Sequence, residues 1–410
     1  MSTLPAISTP TLPREYYIPT GVPDAGTGFG GTTYTIGPSG ASVNYDYEGT
    51  DGTGLGTQLQ TALNALVGGD KLIVTARHPD TGAVLNYYTG GTFQTHYHTG
   101  TSYIVVISDT ANNGTLVPFG TRVDPIDAPY MPVLSTSIHN NPTWSFRYDD
   151  STSGGGDDLG SHHWYICGLK FTNHLSVNRQ NSGMVYFGGD PGVTAYKKSH
   201  LASYCVLDRC WLDAPMISST YGHVQATIIV CGHHIAIVNN YIRGATSCTS
   251  GVDAQGIQLT KGIGPAENSP VSIINNFVEG ESECINTGGA DVNLDDNGEN
   301  CQCSDIYIAG NFVAKDLRRW HCVDEAMPEA GVTYDANTRN GTIRLIKNLI
   351  EFKHGHRVLV EGNYFRHCPA EDTQHWTLVL TPRSHTTSTG RTPATGAWVL
   401  FCTNRDMTFQ

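Results

Sequence analysis

An all-β solenoid of short parallel strands, stacked coil upon coil, is the fold this sequence predicts, and three observations predict it. First, five segments share one template: Cys205–Leu212 (CVLDRCWL), Ile235–Ile242 (IAIVNNYI), Val271–Val278 (VSIINNFV), Ile306–Val313 (IYIAGNFV) and Val358–Phe365 (VLVEGNYF). Each carries apolar residues at its first, third and eighth positions and Asn, or Cys210, at its sixth. Ile343–Ile350 (IRLIKNLI) fits a sixth time, with Asn348 in the polar slot. Second, the polar slots recur at spacings of 30, 36, 35, 37 and 15 residues, and recurrence of one strand-and-turn unit marks a repeat architecture. Third, the units alternate at period two and are rich in β-branched residues, with no helical periodicity.

A single coil cannot bury its own apolar side, so copies must stack. Ile235, Val271, Ile306 and Val358 then form one inward column, and Ile237, Ile273, Ile308 and Val360 another. Asn240, Asn276, Asn311 and Asn363 are expected to stack at the bend, as residues tolerant of left-handed backbone whose amides can bond the next coil.

Along the chain, residues 1–50 read as an irregular arm punctuated by Pro5, Pro10, Pro13 and Pro19. Residues 51–160 read as a capping helix and the first coils. Leu55, Leu59, Leu63 and Leu66 recur at helical spacing and Gly68–Gly69 stops the run, so a short helix should close the open end of the solenoid. Strands are expected at Lys71–Ala76 and Tyr103–Ser108, and residues 161–410 should be the repeats proper.

Composition agrees with this reading. The 410 residues include 46 Gly and 20 Pro, which suits many tight turns, and only 15% are charged. A net charge of −13 argues against nucleic acid as a partner. No apolar run approaches the roughly 20 residues needed to cross a bilayer. The opening MSTLPAISTPTLPREYY has neither the basic nor the apolar region of a Sec signal, so either an export signal has been removed or the protein leaves the cell without one, as a virion component released by lysis would; an extracellular or virion location is expected. Of eleven cysteines, Cys205 and Cys210 fall in repeat slots, where buried thiols act as small hydrophobes, while Cys301 and Cys303 should share one strand face. Disulfides are the alternative, and no spacing favours zinc.

The order of capping helix, GGDKLIV, TSYIVVIS and HHWYICGLKFT resembles the opening of the pectate-lyase-like right-handed parallel β-helix superfamily. More narrowly, IKNLIEFKHGHRVLVEGNYF at Ile346–Phe365, with GGAD at Gly288–Asp291 and LTPR at Leu380–Arg383, is similar to a group of largely uncharacterised bacterial secreted β-helix proteins. The resemblance runs from about residue 55 to the end and implies a right-handed parallel β-helix. It leaves activity open, because the superfamily holds polysaccharide lyases, glycoside hydrolases, viral tailspikes and non-enzymatic adhesins.

Candidate catalytic residues follow from the chemistry such proteins perform. Glu351 and Lys353 alternate with Ile350 and Phe352, so they share an outward face about 7 Å apart at a rise of about 3.3 Å per residue. Arg357, a substrate-binding candidate, and Arg383 lie a short stretch and one coil further along the chain. Lyase chemistry on a uronic-acid polymer needs a base to take the proton α to the carboxylate and a cation to hold the resulting charge. The acidic run Asp291, Asp295, Asp296 and Glu299 offers carboxylates for hydrolysis or, with Asp291 and Asp295 as ligands, for Ca²⁺. His96 with His98, and His354 with His356, could chelate a metal but lack a third ligand at telling spacing. Tyr87, Tyr88, Tyr97, Trp320 and Trp376 lie in or beside polar segments, where sugar rings could stack on their faces.

The expected function is therefore binding, with or without cleavage, of a polysaccharide or cell-surface glycan. The alternative is a non-catalytic tailspike-like or adhesin-like rod. The final DMTFQ, read as an uncapped edge, adds the expectation of a homo-oligomer, a trimer in tailspike-like relatives.

Overall fold

The computed structural model describes residues 30–409 except 137–141, 147–158, 174–179, 189–197, 214–222, 246–252, 265–269, 289–300, 316–346, 369–375, 382–401 and 406–407. The strands are predominantly parallel and form three faces wound around one core. The first face runs from Thr33–Pro38 through Lys71–Val74, Ile104–Ser108, His162–Cys167 and Ala202–Asp208, and on through Val271–Ile274, Ser304–Ala309 and His356–Glu361 to Cys402–Arg405. A second face runs from Asn86–Thr89 to Thr408–Phe409. The third includes Trp144–Phe146, Gln180–Phe187, Gln255–Lys261, Ile285–Thr287, Ile350–Phe352 and Leu378–Leu380. The long strand His223–Val238 serves the third face with its first half and the first face with its second. This is a parallel β-helix.

The predicted columns stand in register. Cys205 pairs with Ile235, then Val271, Ile306 and Val358 in turn; Leu207 leads the parallel column of Ile237, Ile273, Ile308 and Val360. All of these side chains lie in one core cluster. The helix Thr53–Ala65 packs against early strands of all three faces and buries Leu55, Leu59, Ala62 and Leu63 in that same cluster, so it closes the first coil as expected.

The asparagine slots form a buried ladder. Asn240, Asn276, Asn311 and Asn363 each accept the backbone N–H of the preceding rung through Oδ1, at 2.8–2.9 Å, starting from Cys210 N. Each amide also donates to a carbonyl one coil back, those of Leu207, Ile237, Ile273 and Ile308. Two expectations need correction here. The left-handed residue at this corner is the one before the ladder, Arg209, Asn239 or Asn275, and later Gly310 and Gly362. The ladder residues stay right of that region because their side chains must point inward to reach the backbone above and below. Asn348 is not a rung, because Ile350 pairs with Ile285 on the third face and the ladder passes directly from Asn311 to Asn363.

A second left-handed column turns the corner between the third and first faces: His163, Tyr204, His234, Asp305 and Arg357, with φ of 53–56°. Non-glycine residues rarely adopt this conformation, and at His234 a single such residue lets one strand, His223–Val238, pass from the third face to the first without a loop. Tyr204 is stacked between His163 and His234, with ring centroids at 4.6 and 4.4 Å. On the outside of the second face Trp211, Tyr241, Phe277, Phe312 and Tyr364 form a continuous aromatic stack. The segment following Asn113 lies across this region as a strap. Val117 O accepts from Arg209, Gly120 O from Asn275, and Val123 N donates to Asn239 O.

Cys167, Cys205, Cys210, Cys231, Cys284, Cys301, Cys303 and Cys368 are free thiols. Cys205 and Cys210 fill an inward slot and the first ladder slot. Cys303 joins the main core, whereas Cys301 packs in a separate cluster with Cys231 and Ile263. The two do not share a face, because the strand begins only at Ser304.

Candidate functional site

The third face carries its polar side chains in register. Gln258, Asn286, Glu351 and Val379 are paired across four successive coils, while Ile257, Ile285 and Ile350 beside them point into the core. Glu351 therefore stands on the outer face, as its alternation with Ile350 and Phe352 predicts. It is nonetheless only 1% exposed. Lys353 lies beside it, with Nζ 3.9 Å from Oε2. The Thr381 hydroxyl donates to Oε1 at 2.6 Å and Asn348 Nδ2 to Oε2 at 3.3 Å.

Glu283, from the coil before, completes the group. Its carboxyl lies beside that of Glu351 and accepts Gln255 Nε2 at 3.2 Å. Lys347 Nζ lies 3.7 Å from Glu283 Oε1 and 2.5 Å from Asp253 Oδ1. Asp253, 30% exposed at its side chain, and Lys347 form the solvent edge of a site whose carboxyls are otherwise enclosed.

The environments of the two carboxyls split their proton affinities. Burial pushes Glu283 up to about 7, reinforced by the charge of Asp253 and the neighbouring Glu351 against the pull of Lys353 and Lys347. Burial also opposes ionisation of Glu351, but the Thr381 hydroxyl, the Lys353 charge, Glu283 and Asn348 together hold it below the ordinary value. Burial thus raises the proton affinity of Glu283 while the neighbours of Glu351 lower that of Glu351, the pattern expected when two adjacent carboxyls resist ionising together.

Lys315 fixes the two strand entries from which these carboxyls project. Its buried ammonium donates to the carbonyls of Gly280, Glu281 and Asn348 at 3.0–3.1 Å and to that of Ser282. Ser282 precedes Glu283, and Asn348 holds Glu351, so one side chain ties both coils at the site.

The other residues singled out from the sequence are placed as follows. Trp376, 59% exposed, stands at the same end of the face, its backbone N–H donating to Asn348 Oδ1 at 3.2 Å. Arg357 is at the left-handed corner, where it makes a two-pronged ion pair with Asp305. Asp291, Asp295, Asp296, Glu299, Trp320 and Arg383 lie outside the described residues. Tyr87 is core, with its hydroxyl on Thr75 O, whereas Tyr97 is exposed against His162. Among the described residues no three His, Cys, Asp or Glu side chains gather so as to hold a metal ion. The sequence reading missed Glu283, Asp253, Lys347 and Gln255. In the ESEC run both Cys284 and Ile285 turn into the core, which breaks the period-two alternation that would have marked Glu283 as outward.

No family model matches the chain, and no curated protein matches it. Several solved structures follow a similar path. Pectate lyase Pel9A is 11% identical over 87% of this chain and 78% of its own, with a TM-score of 0.41. An alginate lyase from Paenibacillus sp. is 14% identical over 82% and 76%, at 0.34. A double mutant of the tailspike protein of E. coli bacteriophage HK620, in complex with a pentasaccharide, is 14% identical over 86% of this chain and 53% of that one, at 0.35. The chain is a parallel β-helix protein on the register of its own strands, and likenesses at these scores add nothing about its activity. No helix among the described residues is long and apolar enough to cross a membrane.

Proposed function

We propose that this chain is a glycan-directed β-helix protein that cleaves a glycosidic bond on its third face, with Glu283 as general acid and Glu351 as its ionised partner. The observation that carries this reading is a pair of carboxyls brought together from adjacent coils, Glu351 held by the Thr381 hydroxyl, Asn348 and Lys353 and lowered by them, and Glu283 raised by burial. Glu283 supplies the proton to the leaving oxygen, and Glu351 orients and deprotonates water. The separation of the two carboxyls once a sugar lies between them decides between retaining and inverting outcomes. Trp376 offers an exposed ring for stacking at the edge of the site. Hydrolysis is favoured over elimination because Lys347 and Lys353 both already stand beside carboxylates, whereas a lyase needs a cation for the substrate's own.

Reducing-end assays across a polysaccharide panel test this. Turnover should appear for one substrate class and fall by about 10²-fold or more in Glu283→Gln and Glu351→Gln. Products absorbing as unsaturated uronides would instead assign elimination. The near-complete burial of Glu283 and Glu351 favours a second reading, in which the pair clasps adjacent coils of a non-catalytic glycan-binding rod. Binding without turnover, unchanged in both Gln variants, identifies that case.

A further inference from the structure

The outer face beside the carboxyl pair holds polar atoms that the protein itself does not use. Asn286 is fully buried, in register between Gln258 and Glu351, and neither its Nδ2 nor its Oδ1 has a hydrogen-bond partner. Gln255 spends its Nε2 on Glu283, while its Oε1 is buried and unpaired. Buried amides left open in this way are destabilising, and they persist where a ligand or water completes them.

We infer that Asn286, supported by Gln255 Oε1, is the sugar-reading group of this site, and that the glycan it reads is uncharged and presents adjacent hydroxyls. The inference rests on the function proposed above and names its substrate class. A side-chain amide sets a donor and an acceptor side by side, so one hydroxyl accepts from Nδ2 while its neighbour donates to Oδ1. Gln255 Oε1 accepts from a further hydroxyl. A uronate fits poorly: Asp253 at the solvent edge and Glu351 behind it already place carboxylates here, and Lys347 and Lys353 stand beside them. Bringing in another negative charge would cost more than hydroxyls, which need no counter-ion.

The test compares the full chain with Asn286→Leu, and with Asn286→Ala in case the larger side chain is not accommodated. Binding is measured by calorimetry against neutral oligosaccharides (cello-, manno- and galacto-series) and against oligogalacturonate and oligomannuronate. The expected result is binding of a neutral series by the unaltered chain, weakened about tenfold to a hundredfold in the variants. Thermal stability should be unchanged or higher in Asn286→Leu, because an apolar isostere removes two open polar atoms. Preferential binding of uronates overturns the inference while leaving a glycan-directed function standing. So does a Leu variant that binds a neutral series undiminished, or one whose Tm drops while affinity holds, since the amide then belongs to a buried water. Failure of the unaltered chain to bind either class removes the proposed function as well.

Discussion

Replacing Asn276 with Ala should cost the solenoid about 4 kcal/mol. The Asn276 side chain makes four hydrogen bonds: its Oδ1 accepts from Asn240 N and Asn240 Nδ2, and its Nδ2 donates to Ile237 O and Asn311 Oδ1, at 2.8–3.0 Å. At about 1 kcal/mol net apiece these sum to about 4 kcal/mol, and the Asn240 N–H would stay buried without its acceptor. The neighbouring residue is the control. Asn275 bears the left-handed backbone and makes contacts at the surface, to Gly120 O and Asn239 Oδ1. Asn275→Gly relieves the strain while losing those contacts, and should change stability by no more than about 1 kcal/mol. Urea unfolding followed by circular dichroism, with hydrogen exchange at the Asn240 amide, measures both variants. An Asn276→Ala cost no larger than that of Asn275→Gly would refute the view that the inward ladder, rather than the corner itself, holds the coils in register.

Four further outcomes follow from the same structure. Cys210→Asn should extend the ladder by one rung and raise the urea midpoint, because Cys210 Sγ already faces Ile166 O, the carbonyl equivalent to those the other rungs bond. Ile273→Asp or Ile308→Asp should abolish soluble folded protein, since either places an unpaired charge in the core; recovery of a cooperative fold would contradict the inward assignment. Acid should destabilise the fold between pH 6.5 and about 3. Burial lowers His163 and His354 to about 4 and His233 to about 3, so the unfolded chain takes up protons that the folded one refuses, and stability falls as pH falls through that window. Glu283 acts with the opposite sign: raised to about 7, it makes stability fall as pH rises from 4.5, and Glu283→Gln should remove that slope from the thermal-melt profile.

Much of the fold was legible because a β-helix writes its register into the chain. The inward columns and the asparagine slots recur at fixed offsets within each repeat, so Ile237, Ile273 and Ile308 could be aligned by inspection. Asn348 misled for the same reason. A local match of eight residues cannot distinguish one face of a coil from another when every face alternates. The site was half legible. Glu351 lies on a regular strand and Lys353 follows directly at its end, whereas Glu283 follows a turn and precedes two consecutive residues that go inward. The features that define its chemistry, burial and a carboxyl from the adjacent coil, are tertiary and leave no trace in spacing. The left-handed corner column was invisible too, since His163, Tyr204 and Asp305 share a backbone state and no side-chain type.

The strap changes what kind of object this solenoid is. A stack in which each repeat touches only its neighbours can fray one unit at a time, like a zipper. Residues 117–123 reach Arg209, Asn239, Asn275 and Asn276, which belong to three successive coils, over sequence separations of up to 155 residues. Those coils are thereby laced into a single cooperative block, and peeling from either end should halt there. Under mechanical load the chain should show a long plateau of coil-by-coil release interrupted by one larger force peak. The same lacing makes assembly slower, because the strap can dock only after coils more than a hundred residues downstream have formed.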